Sequence, residues 1–247
     1  MKKIIASLSF ALCLLPSAFA GGGSAHWSYH GKEGPTHWSE LDGSFGACKG
    51  HEQSPIDLNG TAVQAEVLPP AVYWHSAEVT AATNNGHTFQ VALDNPGKIV
   101  VDGKQYKFLQ FHFHAGSEHT INGYRYPLEV HLVHAADDGS LAVIGVMFIK
   151  GQENPALAKL ISTVRATEGS YDPDMKFDLN DLLPGRWSTY RYQGSLTTPP
   201  CSEIVSWTVF DTPLTASEEQ LKVFETLFPH SYRPIQAKGR RFVLKSN

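Results

Sequence analysis

Two histidine-bearing stretches constrain this chain more than anything else in it: Gln110-Phe111-His112-Phe113-His114 and Glu129-Val130-His131-Leu132-Val133-His134. In both, β-branched and aromatic residues alternate with polar ones, the period of a strand. Side chains of a strand alternate between faces, so His112 and His114 point one way while Phe111 and Phe113 point into apolar packing. In the second stretch Glu129, His131 and Val133 share a face. The segment between, Ala115 to Pro127, contains Gly116, Asn122-Gly123 and Pro127, enough turn chemistry to return the second strand antiparallel beside the first. In that register His112, His114 and His131 converge. Three nitrogen ligands without an obvious fourth describe a tetrahedral zinc (Zn2+) site with one open position, catalytic rather than structural.

A His-x-His pair is weak by itself, because 12 histidines in 247 residues give about 0.6 such pairs by chance. The signal sharpens with the polar residue two positions before each strand's first ligand. Gln110 precedes His112 and Glu129 precedes His131, each on the face of its histidine. A zinc-bound imidazole usually gives its other N–H to such an acceptor, which fixes tautomer and orientation. The competing reading is a set of satisfied core histidines.

The first twenty residues read as a removable leader: basic Lys2-Lys3, an apolar run from Ile4 to Leu15, and an Ala18-Phe19-Ala20 cleavage signal. The run is too short to span a bilayer, and Cys13 lacks the context of a lipid-anchored cysteine. Residues 1–20 are therefore expected to be a signal peptide and 21–247 a single exported domain, periplasmic or secreted, with no membrane anchor. The formal charge of −4 becomes about −6 without the two lysines, with no basic run, which argues against nucleic acid as a partner. Cys48 and Cys201 remain. Two cysteines in an exported chain most simply form one disulfide, with two buried free thiols as the alternative. The long loop so closed would contribute on the order of 4 kcal/mol.

No repeat or linker divides residues 21–247. After an irregular Trp-, Gly-, His- and Pro-rich stretch from His26 to Pro55, short apolar segments recur between turn signals. They are Ala65–Leu68, Val79–Ala82, Thr88–Leu93, Lys98–Val101, Lys107–His114, Leu128–His134, Leu141–Ile149, Ser188–Tyr192 and Ile204–Phe210. This spacing predicts a mostly antiparallel sheet. Helices are expected over Pro155–Val164, after Asn154 as N-cap, and over Ser217–Leu227, which opens on a capping-box pattern.

With these residues in view, the chain resembles the α-class carbonic anhydrases, from His26 to near Lys245. The resemblance is carried by His26-Trp27-Ser28-Tyr29, Gln53-Ser54-Pro55-Ile56, Asn85-Gly86-His87, the two histidine strands, Ser117-Glu118-His119, Ser195-Leu196-Thr197-Thr198-Pro199-Pro200 and Trp207. It implies a mainly β, single-domain fold: a large, twisted, mostly antiparallel sheet of about ten strands with a few short peripheral helices. The implied activity is reversible hydration of carbon dioxide to bicarbonate and a proton, by attack of zinc-bound hydroxide. The implied partner is this small substrate, and a homodimer is allowed by the sequence.

The resemblance implies a role for each matching position. His112, His114 and His131 are the zinc ligands. Thr197 accepts a hydrogen bond from the hydroxide and donates its own proton to Glu118, which if ionised can only accept. The backbone N–H of Thr198 points at the substrate. Val133, Val143, Leu196, Val205 and Trp207 form the apolar wall that a small uncharged gas requires; each alone would be read as core. His87 takes the position of the proton shuttle, suited by an ordinary histidine pKa of about 6.5. Strict alternation would put His87 on the side of Phe89, so Gly86 or a bulge must turn it inward. Cys48 and Cys201 fall where secreted and bacterial members carry a disulfide, next to the Thr197 loop.

His134 is expected in the core and His119 in the support of the Glu118 loop, while His26, His30, His37, His51, His75 and His230 carry no usable pattern. Ala115 and Ala135 depart from the animal pattern, where Trp commonly follows each ligand strand. Two other classes compete. His112, His114 and Glu118 could open a cupin-type metal oxygenase, but Tyr106 and Arg125 stand where that pattern needs glycine; zinc against iron or manganese content discriminates. A binding module of the same fold would typically lack a ligand histidine, and none is missing here.

Overall fold

The structure is a computed structural model that describes residues 25–59 and 63–246. The leader expected at residues 1–20 lies outside the described residues. Among those described, 14 strands form one large sheet and three short ones a second. Pairings in the large sheet are antiparallel except for three: Leu141–Lys150 with Val205–Phe210 and with Leu214–Ala216, and Leu244–Lys245 with Val63–Gln64.

The two histidine-bearing strands are a long central pair, Lys104–Ala115 and Leu128–Ala135. They run antiparallel with His131 opposite His112 and Glu129 opposite His114. A small hairpin, Thr120–Ile121 with Tyr124–Arg125, closes on the Asn122-Gly123 turn between them. Because both histidine strands are interior strands, their two faces serve different cores. Phe111, Phe113, Val130 and Leu132 enter the larger apolar cluster, and Phe113 packs against Phe224 of the helix Glu218–Leu227 at 4.8 Å between ring centroids. Val133, Val143, Val209 and Trp207 form a second cluster on the site face. A bulge between Val133 and His134 shifts the register, so that His134 faces Phe108 and both return to the larger core.

Seven of the nine expected strands lie within two residues of their positions at each end, and an eighth, Lys107–His114, begins three residues earlier, at Lys104. The exception is Ala65–Leu68. The strand there is Val63–Gln64, and only the Ala65 N–H goes on to the Lys245 carbonyl. This strand ends the chain of pairings, so no neighbour extends it. The sheet exceeds ten strands because several two-residue ladders too short to leave a pattern join its margins, and because Ala71–Trp74 pairs with Gly97–Val101. The helix Pro155–Ile161 starts on Asn154 Oδ1, which accepts from the N–H groups of Ala156 and Leu157. The second helix realises its capping box: Ser217 accepts from Gln220 N–H while the Gln220 side chain accepts from Ser217 N–H.

Candidate metal centre

The strand register brings three imidazoles together, with ring centroids 5.0 Å apart for His112–His114, 5.3 Å for His112–His131 and 4.6 Å for His114–His131. One nitrogen of each lies within 4.8 Å of the others. The outer nitrogen of every ring is engaged. His112 Nδ1 stands 2.9 Å from Gln110 Oε1, His131 Nε2 is 2.9 Å from Glu129 Oε1, and His114 Nδ1 is 2.6 Å from the Ser231 carbonyl oxygen. That leaves His112 Nε2, His114 Nε2 and His131 Nδ1 for a metal, and the buried His114 Nε2 has no hydrogen-bond partner. Burial holds the pKa of His112 well below the ordinary histidine range, and the neighbouring His114 and His131 depress it further. His114 is lowered by burial as well. These shifts favour neutral rings, the form that binds metal.

Gln110 and Glu129 stand as the sequence places them. Ser231 had no signal, because a backbone carbonyl has no residue identity. Burial alone would push Glu129 up, but His119 and His131 beside it outweigh that and hold its carboxyl well below the usual range. Oε1 takes the ring N–H groups of His131 (2.9 Å) and His119 (2.8 Å), and Oε2 takes the backbone N–H of His119 at 2.9 Å. Beneath it lies Gly145, opposite His131, where an added Cβ would stand 2.9 Å from Glu129 Oε1. A glycine inside a strand marks such a close approach. His119, Glu129 and His131 also cluster as metal-binding types, but their facing atoms are spent on one another.

The network runs on to the opposite wall. His119 Nε2 is 2.6 Å from the Tyr192 hydroxyl, which is 2.9 Å from Ser54 Oγ. Ser54 Oγ accepts from Ser195 N–H at 3.1 Å, and Ser195 Oγ accepts from Ser54 N–H at 2.9 Å. The Ser195 carbonyl takes the Trp207 indole N–H at 3.0 Å. Further along, Cys201 N–H donates to the Thr198 carbonyl at 2.9 Å, and Cys201 is disulfide-bonded to Cys48. The loop carrying Thr197 and Thr198 is thus held at both ends.

A cavity of about 270 Å³ opens over the three histidines. Val133, Val143, Leu196 and Trp207 line one side, and His87, Thr197, Thr198 and Gln90 the more polar remainder. Val205 is a correction: it does not line the cavity but is buried, opposite Gly194 and Leu141, two residues before Trp207. Glu118 is fully buried. Its Oε1 accepts the Arg233 backbone N–H at 2.8 Å, and Oε2 lies 3.4 Å from His114 Nε2 with no hydrogen-bond partner. The expected hydrogen bond from Thr197 to Glu118 is therefore absent from this structure, in which Oε2 turns toward the ligand rings.

His87 sits in the four-residue turn between the strands Ala77–Asn84 and Phe89–Leu93, where Asn84 faces Phe89. Asn85 Oδ1 accepts the N–H groups of His87 (3.0 Å) and Thr88 (2.9 Å), and Gly86 adopts φ +82°. The glycine turns the chain so that His87 lines the cavity without a bulge. Its ring lies flat on Trp27, with centroids 3.8 Å apart and planes 11° from parallel. His134 is buried and stacked on Trp74 at 5.5 Å between ring centroids.

Comparison with known proteins bears on the same residues. The family described as eukaryotic-type carbonic anhydrase matches residues 33–247. A carbonic anhydrase of Pectobacterium carotovorum is 38% identical over 245 residues, covering 98% of each chain. Carbonic anhydrase 1 of Monodelphis domestica is 36% identical, over 87% of this chain and 96% of its own. The α-carbonic anhydrase of Thermovibrio ammonificans, solved with the inhibitor sulfanilamide, superposes with a TM-score of 0.87 at 44% identity, covering 90% of this chain and all of its own. Sequence, fold and the histidine centre agree: the chain belongs to the α-carbonic anhydrase family and is an enzyme of that class.

Proposed function

We propose that this protein hydrates carbon dioxide reversibly to bicarbonate and a proton, with zinc held by His112 Nε2, His114 Nε2 and His131 Nδ1. The carrying observation is that all three rings have their outer nitrogen engaged and their remaining nitrogen turned to one point at the cavity floor. Zinc in such a donor set acts as a Lewis acid that brings the pKa of water down to about 7, so a nucleophile is available at neutral pH.

The chain's own groups supply the rest. Gln110, Glu129 and the Ser231 carbonyl hold the three rings in tautomer and orientation. Val133, Val143, Leu196 and Trp207 give an apolar gas a dry place beside the nucleophile. Thr197 orients the attacking oxygen, and the buried, unpartnered Oε2 of Glu118 is an acceptor for the threonine proton. The Thr198 N–H is a donor for the developing negative charge. His87, at the cavity wall, carries the product proton outward.

The leader at residues 1–20 supports export, and the disulfide suits an oxidising compartment. Among the described residues, no helix is long and apolar enough to cross a membrane. The test is stopped-flow hydration of carbon dioxide before and after chelation, with zinc added back. Hydration that is absent from the zinc-loaded protein, or indifferent to chelation, would overturn the reading.

A further inference from the structure

One short piece of chain, residues 231–233, grips two groups of the metal centre without lining the cavity. The Ser231 carbonyl takes the His114 Nδ1–H at 2.6 Å, and two residues on the Arg233 N–H donates to Glu118 Oε1 at 2.8 Å. With Oε1 occupied, Oε2 is the Glu118 oxygen left without a partner beside the ligand rings. Residues 231–238 belong to no strand or helix, so no ladder of backbone bonds fixes them. Side chains do this instead, and Arg233 makes the most bonds. Its Nη1 donates to Gln53 Oε1 (2.7 Å) and the Ser54 carbonyl (2.9 Å), and its Nη2 to the Cys48 carbonyl (3.1 Å). The guanidinium lies over the Trp38 ring, 5.4 Å from its centroid.

The same bonds reach the disulfide from both ends. Cys48 is bound directly, and the Gln53 amide that accepts from Arg233 donates through Nε2 to the Cys201 carbonyl at 3.2 Å. Gln53 Nε2 also meets Glu203 Oε1 at 2.8 Å. A cation as buried as Arg233 is costly to keep unless its hydrogen bonds and charge are answered. Burial lowers its pKa from 12.5 to about 10, and the carboxylates of Glu118 and Glu203 oppose that fall, so the side chain stays charged at neutral pH.

We propose that Arg233 is a positioning residue of the metal centre: its guanidinium fastens residues 231–233 to the disulfide-bonded wall, and so aims the His114 ring and leaves Glu118 Oε2 free for the Thr197 proton. This rests on the reading of His114 as a zinc ligand and of Glu118 as that acceptor. The planar fork serves three acceptors at once, a geometry that a lysine ammonium does not reproduce. Two contacts on the other side of the segment do not involve Arg233. Ser231 Oγ accepts the Ala115 N–H at 2.9 Å, and Arg125 lies 4.0 Å over the Tyr232 ring. Loss of the guanidinium should therefore displace the segment rather than unfold it.

The experiment compares Arg233→Met, Arg233→Lys and Gln53→Met in the zinc-loaded protein. The ring N–H signals of the three histidines are followed by proton NMR beside zinc release to a chelator and hydration at full zinc. Leu157→Ala, which weakens the helix Pro155–Ile161 on the larger core, controls for a general loss of stability. In Arg233→Met the His114 Nδ1–H signal should move upfield as its bond to Ser231 lengthens, while those of His112 and His131, held from their own strands, stay in place. Zinc release should be about three- to ten-fold faster and hydration about three- to ten-fold slower, less than on removal of a direct support. Arg233→Lys and Gln53→Met should change in the same directions by less, and they carry the test if Arg233→Met does not fold. An unmoved His114 signal, wild-type hydration at full zinc, or an equal shift in Leu157→Ala overturns the proposal. Hydration absent from the zinc-loaded wild type would instead overturn the reading of the site, while the His114 signal would still report the anchor.

Discussion

His114 Nδ1–H donates to the main-chain carbonyl of Ser231 across 2.6 Å, joining residues 117 apart in sequence. The contact is reinforced by Ser231 Oγ, which accepts the Ala115 N–H at 2.9 Å. Of the three rings, only this one depends on a distant loop for its orientation. His112 and His131 are held by Gln110 and Glu129 from their own strands.

Removal of a ring and removal of its support should therefore separate. His112→Ala and His131→Ala are expected to lose bound zinc and hydration together. Gln110→Ala and Glu129→Ala should keep the donor atoms and lose about 10- to 100-fold in affinity or activity. Metal content by mass spectrometry, with hydration rates, checks both; full zinc in either histidine variant would contradict the ligand assignment.

Thr197→Ala should retain zinc and slow hydration, since the side chain orients rather than coordinates. Thr197 lines the cavity and is not one of the three clustered histidines, so its loss should leave the metal-binding nitrogens in place. Hydration at the wild-type rate in Thr197→Ala would remove Thr197 and Glu118 from the mechanism.

The Cys48–Cys201 bridge closes a loop of 153 residues in sequence separation. In the chain-entropy account its loss should cost about 5 kcal/mol, less whatever structure the reduced chain retains. Denaturant unfolding of the oxidised protein against Cys48→Ser/Cys201→Ser measures this. Because Cys201 N–H also holds the Thr198 carbonyl, hydration should fall in the double variant as well.

His134 gives a dependence on pH that is separate from the site. Burial pushes its pKa from 6.5 down to about 3, while its Nδ1 donates to the Leu132 carbonyl at 3.0 Å. Between those values unfolding takes up a proton, so stability falls as pH drops through the window and is fully present above pH 6.5. The contribution is about 1.4 kcal/mol per pH unit. His134→Phe, which keeps an aromatic ring against Trp74, should flatten the acid limb by that slope in urea melts of the chelated protein. An unchanged slope would mean that His134 titrates normally in the fold.

The sequence by itself determined the two histidine strands, their pairing and the polar partners Gln110 and Glu129 within them. Those follow from alternation, a period of two residues that any strand imposes locally. Helix caps at Asn154 and Ser217 were legible for the same reason, since each satisfies backbone groups within three residues. The family motifs added Thr197, Glu118 and His87, which no local pattern connects to the histidines. Only the tertiary structure decided the rest. The Ser231 carbonyl has no side-chain identity to read. Val205 and Trp207 share a strand face, yet Trp207 lines the cavity while Val205 is buried within the apolar cluster. Arg233 joins Glu118, 115 residues earlier, to Cys48, 185 residues earlier. In each case the deciding contact joins distant parts of the chain, whose approach is set by the packing of the whole sheet and leaves no local periodicity behind.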